Sequence, residues 1–309
     1  MLSRRSFLKS TLGAGLALAT HGCQQMAAQP VRRRTIVDSQ VHLWKAESAD
    51  WPWVPGAKPQ LPEPFTIEKL VPMMDEAGVD RAVIVPPGWP GDRNDYALEA
   101  AKRLPNRFAV MGRITLQNPK SALLPRWKEQ PGMLGARVIF NNDVTIPWLT
   151  DGTADWLWPA AEKAGVPVMF FAPGRVSMFA RIAERHPQLT LIIDHMGLTA
   201  AMAKDNLIPA AVDQAVALAK YPNVSIKMSA SPALSLESYP FRDVTEHLRR
   251  VFDAYGPQRC YWGTDMTNSF AKATYRQRIT HFTEELDFLS EDDKDWVMGR
   301  AILARLKWA

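Results

Sequence analysis

The sequence predicts a single α/β domain folded as a (β/α)8 TIM barrel, and three observations carry that reading. Eight short apolar runs rich in β-branched residues alternate with helical patterns from residue 35 to residue 309, the signature of βαβ units and a parallel sheet. The chain has 309 residues, enough for such a barrel, which takes roughly 250 residues in one domain. No glycine-rich dinucleotide turn follows the first run, which leaves an open doubly wound sheet as the weaker alternative.

The first strand is expected over residues 35–44. It begins Thr35-Ile36-Val37 and ends in polar groups at alternate positions, so Gln40 and His42 share a face and Val41 takes the other. A loop rich in Trp and Pro follows over 45–64. A helix is expected over 66–77, with Ile67, Leu70, Val71 and Met74 as its apolar stripe and Gly78 as its stop. Strand two covers 81–85 and is ended by Pro86 and Pro87. A helix over 95–103 precedes strand three at 108–114. Strand four covers 134–140, and a helix over 155–164 closes at Gly165 before strand five at 167–171. The helix over 176–185 leads to strand six at 189–195, and the helix over 207–220 to strand seven at 224–228. The helix over 241–255 leads to strand eight at 259–265, and helices over 275–289 and 292–306 finish the chain.

In a barrel the C-terminal ends of the strands converge on one face, where active sites lie. Here those ends carry Gln40 and His42, Asp194 and His195, Lys227, and Asp265. Asp194 is next to His195, so in a regular strand it points the opposite way. Arg137, near the end of strand four, suits a clamp on a substrate carboxylate or hydroxyl, or a structural ion pair; Lys227 carries the same two readings. Trp44, Trp51, Trp53, Trp89 and Trp148 fall in or beside the C-terminal loops, where aromatic rims cover ligand rings or simply pack the loops. His186, His247 and His281 lie in helical patterns and are read as packing or surface residues.

The net charge of +5 and the pI near 9.2 come from one end of the chain. Residues 1–34 hold six basic side chains and no acid, so residues 35–309 carry 31 basic and 32 acidic groups, a net charge of −1. The body is close to neutral, which gives no support to a nucleic-acid partner. Residues 1–29 read as an export signal. Arg4 and Arg5 fit the twin-arginine pattern, and the apolar run over 12–19 is too short to span a bilayer. The protein is therefore expected in the periplasm, with Cys23 as a possible lipid anchor and residues 30–34 as a basic tether. The only other cysteine is Cys260, so no intrachain disulfide is expected after cleavage.

Four stretches resemble one family. They are Asp38-Ser39-Gln40-Val41-His42-Leu43-Trp44, Gly135-Ala136-Arg137, Ile193-Asp194-His195-Met196-Gly197 and Tyr261-Trp262-Gly263-Thr264-Asp265, with a closing helix over 298–306. In this order they resemble the amidohydrolase-related barrels, in particular the branch of fuconolactone, rhamnonolactone and pyrone dicarboxylate lactonases. The resemblance spans residues 35–309. It implies a hydrolase that opens a small lactone or related cyclic ester.

In the metal-dependent members of that family, two histidines of the first strand, one of strand six and the Asp of strand eight surround a divalent ion. His42, His195 and Asp265 match that set, Gln40 replaces the first histidine, and strand five offers only Phe170-Phe171-Ala172-Pro173. A Gln carbonyl is a weaker zinc ligand than an imidazole. Metal-free chemistry is therefore placed first, and a divalent ion such as zinc on His42, His195 and Asp265 second. In either form the expectation makes Asp265 the general base and His42 and His195 the groups that polarise the carbonyl. Gln40, Arg137, Lys227 and Trp44 are expected to bind substrate. A metal-dependent decarboxylase, and an inactive barrel that binds an organic acid, are the rival readings.

Overall fold

In the computed structural model, which describes residues 33–119 and 121–309, all eight expected strands form. They are β1 (Val37–Val41), β2 (Arg81–Ile84), β3 (Phe108–Arg113), β4 (Met133–Ile139), β5 (Val168–Phe171), β6 (Leu191–Ile193), β7 (Val224–Ser229) and β8 (Cys260–Gly263). Each pairs in parallel with the next, in the order β1 to β8. The helices are α1 (Ile67–Ala77), α2 (Asp95–Arg103), α3 (Leu157–Ala164), α4 (Ala180–Arg185), α5 (Ala200–Lys204), α6 (Ile208–Ala217), α7 (Ser231–Leu234), α8 (Thr245–Tyr255), α9 (Tyr275–Thr280), α10 (Glu291–Asp295) and α11 (Ala301–Leu306).

Periodicity explains the helix placement. In α1 the buried residues are Ile67, Leu70, Met74 and Ala77, and Gly78 ends the helix at φ 78° with its N–H on the carbonyls of Met74 and Asp75. Gly165 stops α3 the same way at φ 60°. The alternating strand residues sort into two apolar layers. Val37, Val83, Met111, Met169, Ile192 and Tyr261 fill the barrel interior together with Ala301, Ile302 and Leu306 of α11. Gly299, just before α11, lies against the Thr35 carbonyl, which puts that final helix under the N-terminal end of β1. The opposite strand faces, such as Ile84, Phe170 and Ile226, pack on Leu70, Val212 and Leu248 of the surrounding helices.

The seam where β8 returns to β1 is closed by one carboxylate. Asp38 has no exposed surface. Its Oδ1 accepts from the backbone N–H of Thr264 (2.8 Å) and of Gln40 (3.1 Å). Its Oδ2 accepts from the hydroxyls of Thr264 (2.6 Å) and Tyr275 (2.7 Å). Burial pushes its pKa up, and these four donors pull it back only in part. The Asp265 N–H donates to the Gln40 carbonyl at 3.0 Å across the same seam. Gly263 backs onto Ser39 so closely that a Cβ there would collide with the serine hydroxyl.

In a regular strand Asp38 and Gln40 would share a face. Here the β1–β2 register shifts between Asp38 and Val41. That bulge sends Asp38 outward to Tyr275 of α9 and Gln40 inward.

Three expectations shift. β6 ends at Ile193 and β8 at Gly263, so His195 and Asp265 lie just beyond their strands. A helical turn over Ser121–Glu129 buries Leu124 and Trp127, where no element was expected. Arg34 belongs to the body rather than to a solvated tether, since it pairs with Glu291 (2.8 Å) and Asp295 (2.9 Å). The expected signal segment and Cys23 lie outside the described residues. Among the described residues no helix is long and apolar enough to cross a membrane.

Replacing Asp38 strands two hydroxyls and two backbone N–H groups in the core. Asp38→Ala should lose about 3 kcal/mol or more, and Tyr275→Phe about 1–2 kcal/mol, in urea unfolding. Equal losses would show that the carboxylate does not hold the seam.

Candidate functional site

Three successive strand ends turn through left-handed backbone. His195 (φ 50°) and Met196 (φ 57°) follow β6, Ala230 (φ 64°) follows β7 and Asp265 (φ 44°) follows β8. Non-glycine residues adopt this conformation at a cost of roughly 1–2 kcal/mol each. Such strain persists only where the surrounding contacts enforce it. Here the turns aim His195 and Asp265 at the barrel axis, where they meet Gln40 and His42 of the first strand around a cavity of about 450 Å3. Trp89 and Arg137 also line it.

Beneath the cavity floor lies a buried polar cluster. Lys227 has no exposed surface; its ammonium lies 2.8 Å from Asp194 Oδ1 and donates to Gln40 Oε1 at 2.6 Å. Arg137 donates through Nε to Asp194 Oδ2 at 3.0 Å. Burial opposes the Asp194 charge, but Lys227 and Arg137 outweigh it and hold that carboxyl below its ordinary range. Burial also lowers the Lys227 pKa, with Asp194 supporting the ammonium. Asp194 therefore joins the same cluster as His195 instead of pointing to the opposite face. The strand's early end at Ile193 releases it from strand alternation.

This cluster dictates the state of His195. Lys227 can only donate, so Gln40 must present Oε1 to it and Nε2 to the other side. Gln40 Nε2 lies 3.0 Å from His195 Nε2. Two N–H groups cannot face each other, so His195 Nε2 carries a lone pair that accepts from Gln40. The His195 proton is then on Nδ1, which donates to Ser229 Oγ at 2.8 Å. Burial lowers the His195 pKa and so agrees with a neutral ring. In that state His195 has no N–H to offer a substrate carbonyl, contrary to the polarising role expected of it.

His42 is arranged the other way. Its Nδ1 lies 2.6 Å from the Val85 carbonyl and must donate to it. Its Nε2 sits 2.9 Å from Asp265 Oδ1. The contact is not an aligned hydrogen bond, but the two groups stand close enough at the cavity wall to share one proton. Burial raises the Asp265 carboxyl; the His195 and His42 rings, when doubly protonated, outweigh it and together with Arg137 hold its pKa at about 2.

A catalytic zinc takes three protein ligands. The lone pair that His195 would give is already engaged by the Gln40 N–H, which leaves His42 and Asp265 alone. Asp265 Oδ2 and His195 Nε2 lie 3.6 Å apart. Among the described residues no three His, Cys, Asp or Glu side chains stand at metal-ligand spacing. As arranged, the expected trio of His42, His195 and Asp265 does not fit a zinc ion.

Two expected substrate contacts lie elsewhere. Trp44 is fully buried, with Phe65 at 5.9 Å and Trp89 at 4.9 Å between ring centroids. Trp89 covers it and takes the cavity position, 6.4 Å from the His42 ring. Lys227 is sealed in the floor and reaches the cavity only through Gln40. Arg137 combines both of its readings, since its Nε holds Asp194 while the side chain lines the cavity. His281 is a core residue, lowered to about 4 chiefly by burial. Ser229 was not singled out in the sequence, although it follows Lys227 by two residues on the same face of β7.

The amidohydrolase family model matches residues 37–303. The chain is 26% identical over 238 residues to an L-fucono-1,5-lactonase of Burkholderia ambifaria, covering 74% of this chain and 79% of that one. It is 27% identical over 254 residues to a 4-sulfomuconolactone hydrolase of Hydrogenophaga intermedia, covering 75% and 74%. Among solved structures, it superposes on an amidohydrolase of Burkholderia multivorans with bound zinc at a TM-score of 0.74, with 20% identity over 88% of this chain and 99% of that one. A probable 2-pyrone-4,6-dicarboxylic acid hydrolase of Acinetobacter baumannii with citric acid bound gives 0.71, with 17% identity over 88% and 99%.

If Gln40 is what occupies the His195 lone pair, Gln40→His should gain zinc affinity by about tenfold or more over the wild type. Equilibrium dialysis with metal analysis measures it. Stoichiometric zinc on the wild type, lost in His195→Ala, would overturn the donor assignment.

Proposed function

The chain belongs to the amidohydrolase family and is a hydrolase, and from that premise we propose that it opens a lactone or related cyclic carboxylic ester by general-base attack of water. The observation that carries this reading is the His42–Asp265 pair, Nε2 and Oδ1 2.9 Å apart at the cavity wall, with the fixed cation Arg137 in the same cavity. A water that donates to the Asp265 carboxylate is held with its oxygen free to attack. The pair takes one proton as the new C–O bond forms. Negative charge developing on the carbonyl oxygen is met by the terminal nitrogens of Arg137, which Asp194 holds in place through Nε. When the ring C–O bond breaks, the proton held by the pair goes to the departing oxygen, and the product is a hydroxy acid. Lys227 and Gln40 keep His195 neutral and the floor rigid. The lactones in the two relatives' names support this substrate class.

The activity test is a lactone panel read with a pH indicator. Asp265→Asn should lower kcat/KM by about 1,000-fold, since removing a positioned base costs 10²–10⁴-fold. Wild-type rates in that variant would overturn the assignment. Tight binding of an organic acid without any turnover by the wild type would favour a binding barrel.

We also propose export to the periplasm, which rests on the first 29 residues. Exchanging both Arg4 and Arg5 for Lys should leave the protein in the cytoplasm on cell fractionation. Unchanged periplasmic recovery would refute twin-arginine export, and recovery in the membrane fraction that is lost in Cys23→Ser would identify the lipid anchor.

A further inference from the structure

A second hollow of about 560 Å3 adjoins the cavity, and Gly88, Arg137, Ile139 and Asn141 line both. Arg113 lies in the wall of the second hollow and not of the first. It ends β3 and is the register partner of Arg137 in β4. Register partners on parallel strands face the same way at a strand spacing of about 4.8 Å, so the two arginines stand side by side at the junction.

Each is anchored by its Nε and not by its fork. Arg113 Nε lies 3.0 Å from Asp92 Oδ1, and Asp92 is itself held by the Thr115 hydroxyl at 2.6 Å. Arg137 Nε is held by Asp194. Arg113 Nη1 is buried without a hydrogen-bond partner, a state that costs about 1–3 kcal/mol. Two adjacent guanidiniums add like-charge repulsion. Gly88 packs on the guanidinium, where a Cβ would touch Arg113 Nη1 at 3.7 Å, and so lies between the two hollows beside it. Trp148 offers an apolar flank.

A group with several anionic oxygens satisfies the orphan donor and relieves the repulsion together. We propose that Arg113 is the specificity-determining residue of this site: the lactone carries an acidic arm that Arg113 receives in the second hollow, while Arg137 at the junction faces the scissile carbonyl. This inference rests on the lactonase reading above. The shared chemistry is an oxyanion, and a carboxylate and a sulfonate are its two sources.

The experiment compares matched γ-lactones bearing a carboxylate, a sulfonate or a neutral methyl-ester arm, on the wild type, Arg113→Gln and Arg113→Lys. The wild type should favour an acidic arm, and Arg113→Gln should erode that preference about 10- to 100-fold, chiefly through KM. Arg113→Lys, which keeps the charge but not the fork, should recover part of it. The better of the two acidic arms identifies the source. A wild-type preference for the neutral ester, or equal losses on all three lactones in Arg113→Gln, would overturn the inference. Calorimetry with malate separates it from the lactonase reading. If no lactone is opened but malate binds and Arg113→Gln weakens it, the anion site stands and the lactonase reading falls. If malate does not bind and no lactone is opened, both fall.

Discussion

A barrel of eight strands exists only if the last strand finds the first, and in this protein that meeting is held by the Asp38 carboxylate. Four donors from Thr264, Tyr275 and Gln40 converge on it in a place without solvent. The same seam fixes the two most important positions of the cavity, because Gln40 and Asp265 are joined by a backbone hydrogen bond directly beside it. A carboxylate here does structural work that an apolar side chain could not, since it satisfies a backbone N–H at each edge. The bulge in β1 is the second half of the same device. It lets one short strand present an outward anchor and an inward functional group two residues apart.

From Gln40 the order propagates through hydrogen-bond polarity. A buried ammonium that can only donate sets the rotation of an amide, and the amide sets the tautomer of an imidazole. Each step follows from which atoms carry protons, and none needs a strong interaction. The result is a division of labour between two histidines. His195 accepts from Gln40 through Nε2 and donates to Ser229 through Nδ1, while His42 donates to the Val85 carbonyl through Nδ1 and turns Nε2 to Asp265. The fixed cations Lys227 and Arg137 supply positive charge at the floor of the cavity. They are held there by Asp194, a residue whose contribution depends on β6 ending two positions before His195.

The eight strands were legible because buried parallel strands read as apolar runs and the helices between them as 3.6-residue stripes. The site was legible in outline because barrel topology brings strand ends together whatever their separation in sequence. Less accessible was anything that depended on a local break in regularity. Strand alternation gives Asp38 and Gln40 the same face, and only the register shift separates them. Alternation likewise turned Asp194 away from His195. The His195 tautomer depends on Lys227 beside Gln40, a contact between residues 187 apart in sequence. Trp44 and Trp89 were equivalent as sequence, and only the packing shows which covers the other. Arg113 carried a usable signal, a charged residue ending a strand next to the one that bears Arg137, but without the register it looked like any strand terminus.

The closeness of seam and site has a practical corollary. Because Gln40 donates to Asp38 with its backbone and to His195 with its side chain, anything that immobilises the cavity end of β1 also suppresses opening of the barrel at its closure. Occupancy and global unfolding are then coupled by mass action. A thermal-shift screen therefore ranks ligands without requiring turnover, and it does so even in variants whose chemistry has been removed.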